Sequence, residues 1–200
     1  MAITKGLSIV CDDMQRTGGV SQIFLRTWAT GDVVTFTNTA GTAHAISSIV
    51  DNGGATASWF MYEFKDETPT LNVAATKENG STAFECTLTF YLPKMDSGKS
   101  AKLQELLDTC MMGIIVDTNG TNYVIGASEK YSVGGSANAN IDRSQTYLNL
   151  ASMEGQTGAA YSEENGITVT LTARQFELPR VYTGTLTPDV DLADMSATTN

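Results

Sequence analysis

Two hundred residues suit one domain rather than two, with enough chain to bury a core unaided. The 12 Lys and Arg stand against 22 Asp and Glu, and a net charge of −10 repels phosphate, which disfavours sequence-specific nucleic-acid binding. Charged residues are sparse at 17%, while 28 Thr and 18 Gly favour strands and tight turns over disorder.

In chain order, Met1-Ala2-Ile3-Thr4-Lys5-Gly6 lacks the apolar core of a signal peptide, so an export signal is not expected. Strands are predicted over 22–28, 32–38, 45–50, 58–65 and 71–77. The clearest follows over 82–92, where Phe84, Cys86, Leu88, Phe90 and Leu92 alternate with Glu85, Thr87, Thr89 and Tyr91. Asn79-Gly80 before it reads as a type I′ hairpin turn. An amphipathic helix is predicted over about 100–111, capped by Ser97 or Ser100 and ended by Gly113. Its core face would be Leu103, Leu106, Leu107, Cys110 and Met111. Strands over 113–117 and 122–125 flank Asn119-Gly120 and read as a second hairpin. Residues 127–156 read as a long loop with one short strand near 146–150. A second clear alternation covers 166–174, with Ile167, Val169, Leu171 and Ala173 opposite Thr168, Thr170, Thr172 and Arg174. Residues 177–200 read as an extended arm or tail. The expected fold is mainly β: an antiparallel sandwich or barrel with one flanking helix. One domain over 1–176 carries the loop at 127–156, and an arm follows over 177–200.

Catalytic signatures are absent from this pattern, and no enzyme, cofactor or metal site is expected. His44 is the only histidine and has no nucleophile motif around it. Asp96-Ser97-Gly98-Lys99-Ser100 ends like a phosphate loop, but Pro93 stands where the motif needs glycine, so helix capping is the better reading. Asp189, Asp191 and Asp194, and likewise Glu163-Glu164-Asn165, do not fit a calcium loop and read as solvated acidic segments. Cys11, Cys86 and Cys110 match no redox or zinc spacing and read as buried free thiols. No run is apolar enough for a membrane helix. Trp28, Trp59, Tyr62 and Tyr91 could form a stacking surface, but core packing is the simpler role.

Two stretches carry a resemblance. The run from Phe84-Glu85-Cys86-Thr87-Leu88-Thr89-Phe90-Tyr91-Leu92 through Lys102-Leu103-Gln104-Glu105-Leu106-Leu107 to Gly113-Ile114-Ile115-Val116-Asp117-Thr118-Asn119-Gly120 resembles the element order of tail tube proteins of tailed bacteriophages. Gly158 to Thr172 is similar to a segment of small phage virion proteins. The resemblance rests on element order and short turns. It implies a structural virion subunit, made in the host cytoplasm. Such subunits form rings, six copies in the family, that share an inner β-barrel and stack into a tube conducting genomic DNA without reading its sequence. Its partners would be further copies of itself and other tail or neck proteins. Glu85, Thr87 and Thr89 would then face an acidic lumen. A long lumen hairpin would run from Ser58 to Leu92 and bend at Asp66, Glu67, Thr68 and Pro69. The alternative is a capsid decoration protein or a receptor- or carbohydrate-binding β-sandwich.

Overall fold

A computed structural model of the chain describes residues 18–29, 31–37, 44–51, 53–94, 96–129, 138–140, 146–158 and 164–189. The described elements are β1 (Val20–Thr27), β2 (Val33–Thr37), β3 (Ala45–Val50), β4 (Ser58–Tyr62), β5 (Thr70–Glu78) and β6 (Ser81–Pro93), followed by α1 (Ser97–Glu105). Then come β7 (Met111–Asp117), β8 (Asn122–Ile125), β9 (Asn138–Asn140), β10 (Leu148–Gln156), β11 (Gly166–Gln175), β12 (Arg180–Tyr182) and β13 (Thr187–Asp189). The class is mainly β, and the strands join in one large mixed sheet. Its order is β5-β6-β11-β10-β7-β8-β12-β3-β2-β9, with a branch from β7 through β1 to β4 and β13.

Both expected hairpins form, by different turns. Asn79 and Gly80 have φ of 48° and 81°, the two positive angles of a type I′ turn, and Glu78 pairs with Ser81. Between β7 and β8 only Gly120 is left-handed, at φ 81°, and the four residues from Thr118 to Thr121 separate the strands. Asp117 Oδ1 organises this loop by accepting from the amides of Asn119 at 2.9 Å and Thr121 at 2.7 Å.

The middle of the molecule is buried on both faces. Ile23 and Leu25 of β1, Met111 and Ile115 of β7 and Ile125 of β8 face one core, which they share with Leu88, Phe90, Val169 and Leu171. Their neighbours Phe24, Met112, Ile114 and Val124 face a second core with Val34, Phe36, Ile46, Ile49 and Trp59. A strand buried on both faces needs apolar residues at successive positions, which explains the runs Ile23-Phe24-Leu25 and Ile114-Ile115. Each fully buried side chain of this size contributes about 1.5–3 kcal/mol before entropy is counted.

The helix begins and ends earlier than its periodicity suggests. Asp96, not Ser97 or Ser100, is the N-cap and accepts from Lys99 N at 2.9 Å. Leu103 and Leu106 are buried as expected. The chain then tightens into i→i−3 bonds, Leu106 N to Leu103 O and Leu107 N to Gln104 O, and leaves the helix. Leu107 is therefore 45% exposed, Cys110 is exposed, and Met111 is buried as the first residue of β7. Gly113 is no helix cap; it lies in β7, where a Cβ would come within 3.2 Å of Leu25, Ile125 and Leu148.

Three further expectations change. The span 58–92 is not one hairpin, because β4 pairs with β1 and β13 while β5 pairs with β6. Asp66, Glu67, Thr68 and Pro69 form the crossing between these parts, with Glu67 at φ 60°. The short strand near 146–150 is the start of a nine-residue strand, β10. The first half of the expected arm joins the sheet: β12 pairs with β8 and β3, β13 pairs with β4, and Arg180 and Tyr182 are buried. Cys11, Asp191, Asp194 and residues 1–6 lie outside the described residues.

The second core contains an ion pair. Arg26 Nη2 donates to Asp32 Oδ2 at 2.8 Å, the Ala29 amide donates to the same oxygen at 3.1 Å, and the guanidinium lies 5.9 Å from the Trp59 ring centroid. Among the described residues, Arg26 Nη1, Asp32 Oδ1 and Trp59 Nε1 have no hydrogen-bond partner. Burial pushes the Asp32 carboxyl above its ordinary value, against the opposing effects of the Ala29 amide and Arg26. Asp32 therefore favours folding below the ordinary carboxylate pKa, and this contribution is lost as pH rises through the raised value. Asp32→Leu strands a guanidinium that cannot shed its proton, and is expected to cost about 3–5 kcal/mol. Arg26→Met should cost less, because Asp32 can take up a proton, and its stability should climb as pH falls. The double variant should recover most of the loss of Asp32→Leu. Denaturant unfolding at several pH values checks all three.

Candidate functional site

The candidate site is one face of the four antiparallel strands β5, β6, β11 and β10. Residues pair in register across it: Thr70 with Thr89 with Thr170 with Ser152, and Asn72 with Thr87 with Thr172 with Asn149. The next row sets Ala74 beside Glu85 beside Arg174. Strand alternation sends Leu71, Val73, Cys86, Leu88, Phe90, Ile167, Val169, Leu171 and Ala173 to the opposite face and into the first core. What remains outside is a surface of hydroxyls and amides. Glu85, Thr87 and Thr89 thus share one open face, joined by the Thr and Arg positions of β11. Thr89 Oγ1 and Thr170 Oγ1 stand 3.4 Å apart, so hydroxyls link the two central strands.

The face has one closed end. Tyr91 is buried there, with the Lys65 ammonium 5.8 Å from its ring centroid and Lys65 N bonded to Tyr91 O at 3.0 Å. Lys65 also pairs with Glu164. The Tyr91 ring crosses Gly166, where a Cβ would fall 2.4 Å from the phenol oxygen, so this position tolerates only glycine without movement. Asp66 to Pro69 continue from Lys65 beyond this end of the face and are not part of its open surface.

Charges are few on this face. Among the described side chains of the open face they are Glu85, Glu154 and Arg174, two carboxylates against one guanidinium, and Glu85 stands in register with Arg174.

Both lateral edges of the four-stranded unit are open. β5 pairs with nothing on its outer side among the described residues. β10 pairs with β7 through Leu148 and Met111, and among the described residues the stretch from Asn149 to Gln156 has no partner on that edge. The two-residue hairpin puts Glu78 and Ser81 in a hydrogen-bonded pair, so residues 71, 73, 75 and 77 turn their amides and carbonyls outward. Strands of nine residues without an internal proline are templates for further pairing.

The other candidates have structural roles. His44 Nε2 contacts Leu178 O at 2.9 Å on the surface. The Gly98-Lys99-Ser100 segment begins α1, and Lys99 Nζ donates to the carbonyls of Pro93 and Lys94. Trp59 and Tyr91 are buried, Tyr62 packs edge-on against Phe90, and Trp28 stacks on Tyr147 at 5.5 Å, so these rings serve packing. Among the described residues no three His, Cys, Asp or Glu side chains gather as metal ligands, and no helix is long and apolar enough to cross a membrane. Comparison with protein-family models, curated proteins and solved structures finds no match to this chain.

Sequence reasoning missed β10 as part of this face. Its apolar positions are Leu148, Leu150 and Met153, and the ladder shifts register between Leu150 and Ser152. A bulge at Ala151 moves the apolar side chains from even to odd numbers and hides the period of two. A strand search that allows one inserted residue would have found it.

The cysteines separate by environment. Cys86 is buried with its Sγ 3.0 Å from Gln175 Oε1, and burial, with a smaller effect of Glu85, pushes its thiol up to about 12. Cys110 is exposed, contrary to the expectation of a buried thiol. In a Cys11→Ser variant at about pH 8, a thiol reagent is expected to label Cys110 at once and Cys86 only on unfolding. Mass spectrometry of the labelled peptides reads the outcome.

Proposed function

We propose that the chain is a self-assembling structural subunit of a virion, of the tail-tube type, that builds a wet channel from its four-stranded unit. The observation that carries this reading is a sheet with one mostly polar face and, among the described residues, two unpaired edges. Four strands per copy is an even number, so a β10–β5 junction between copies keeps every neighbour antiparallel around a closed ring. At about 4.8 Å per strand, six copies lay roughly 24 strands around about 115 Å, some 37 Å across before tilt widens it. Barrels of about 16–18 strands already enclose an aqueous channel.

In this reading the Thr-rich face lines the channel, and the first core backs it. A lining of hydroxyls with few charges, carboxylates in slight excess, neither attracts phosphate nor presents a block of carboxylates. Genomic DNA in transit meets a wetted, weakly interacting wall, and there is no base readout. The chain acts as a wall and not as an enzyme, and it is located in the virion tail. The packed state of Trp59, Tyr62 and Tyr91 argues against the alternative of a sugar-stacking module.

Mass photometry and negative-stain microscopy of the purified protein test the proposal. Concentration-dependent rings or tubes are expected, and a monomer at the highest attainable concentration overturns it. Ala75→Pro removes an outward amide without breaking a bond to β6, so it should abolish assembly while lowering the monomer melting temperature by only a few degrees. A second test concerns the wall. Tubes of Thr87→Lys should retain DNA in low salt and release it steeply as salt rises, while unmodified tubes retain none in a filter-binding assay.

A further inference from the structure

The first core is not closed at its sides. Most of its members are fully buried, but Leu71 and Val73 on β5 and Leu150 and Met153 on β10 are only half covered. These four residues lie on the apolar face of the two strands whose edges are free. On the β5 side the gap is a groove of about 540 Å³, lined by Val20, Leu71, Val73, Ile115, Tyr123 and Leu178. Leu178 is 52% exposed there, a large apolar side chain with little cover.

Resting on the assembly reading above, we propose that the groove is the socket for a second copy's β10, and that Leu150 and Met153 of that copy fill it. Three features of the chain select this occupant. First, the outward amides and carbonyls of residues 71, 73 and 75 border the groove, so an incoming strand is held by main-chain bonds beside it. Secondly, side-chain parity couples the two faces of any docked strand. A register that sets Asn149, Ser152 and Glu154 beside the polar face must set Leu150 and Met153 over the groove. Thirdly, the antiparallel sense places Met153 next to Leu71 when Leu150 is next to Val73, and the bulge at Ala151 keeps both on the same side. The contact is head-to-tail: one end of the open core of each copy closes the other end of its neighbour's. Ring closure thereby makes a continuous apolar layer behind a continuous polar wall.

Cysteine cross-linking tests the assignment. The variant Val73→Cys/Leu150→Cys is made in a Cys11→Ser/Cys86→Ala/Cys110→Ser background, because Cys86 is the in-register neighbour of Val73 and would capture its thiol within one chain; Leu71→Cys/Met153→Cys is its companion. Within one chain β5 and β10 are three strand spacings apart, about 14 Å, too far for a disulfide, which needs Cα atoms within about 7 Å. Any bond between the paired cysteines therefore joins two copies. Each variant is first checked for rings under reducing conditions by microscopy, then mildly oxidised and run on a non-reducing gel. A ladder of multimers is expected from at least one double variant, with no species beyond dimer from any single-cysteine parent. Rings or tubes without a ladder from either double variant overturn the groove assignment while the assembly reading stands. Particles that stay monomeric, for these variants and the unmodified chain alike, overturn both. A cross-link within one chain between Val73→Cys and a cysteine at Ile9, with none to Leu150→Cys, hands the groove to the chain's own first 17 residues and also overturns the assignment.

Discussion

Side-chain alternation along a strand makes each residue choose one of two faces, and in this molecule the choice is made three layers deep. The strands β1, β7 and β8 carry apolar residues at successive positions because both of their faces are covered. One face receives the apolar side of β5, β6, β11 and β10, and the other receives β2, β3 and β12. A polar residue at Ile23 or Ile114 would sit between two cores without a route to water, at the cost of an unsatisfied buried group. The Thr-rich face is outward because its partner face is committed to this central layer.

The same constraint gives the four-stranded unit its chemical character. Once Leu88, Phe90, Val169 and Leu171 point inward, Thr87, Thr89, Thr168, Thr170 and Thr172 have no freedom to do so. Threonine suits both demands, since its branched Cβ favours the extended backbone and its hydroxyl keeps the outer surface wet. The charge count of −10 had suggested a face lined with carboxylates. Instead the described side chains of the face carry few charges, and one of its carboxylates, Glu85, meets Arg174 in register.

The parts of the fold that were legible share a regular period. Residues 82–92 and 166–174 alternate strictly, and both appear as strands with the expected faces. Asn79-Gly80 marks a hairpin because few other pairs accept two positive φ angles, and Asn119-Gly120 marks one because Gly120 accepts a single positive φ. The failures are equally specific. The stripe from Leu103 to Met111 has helical spacing, but the backbone leaves the helix at Leu106, and Met111 is buried from a strand instead. Apolar spacing shows which residues want burial and not which geometry delivers it. The run from Ser58 to Leu92 looked like one long hairpin, yet β4 is claimed by β1 across a separation that no local signal encodes.

The local pattern of residues determined the strand-rich class, the two tight hairpins and the apolar and polar sides of β6 and β11, because these depend on neighbours two to four positions apart. Tertiary structure alone decided that β6 and β11 are adjacent, that β10 extends their polar face, and that β5 and β10 have unpaired edges among the described residues. The β6–β11 pairing arises from contacts between residues about 80 positions apart, such as Leu88 with Leu171, and β10 joins through a bulged ladder to β11; both are selected by the shape and volume of the whole core. The pairing of charges on the polar face belongs to the same class of fact. Each charge could be read along the chain, but only the register placed Arg174 beside Glu85.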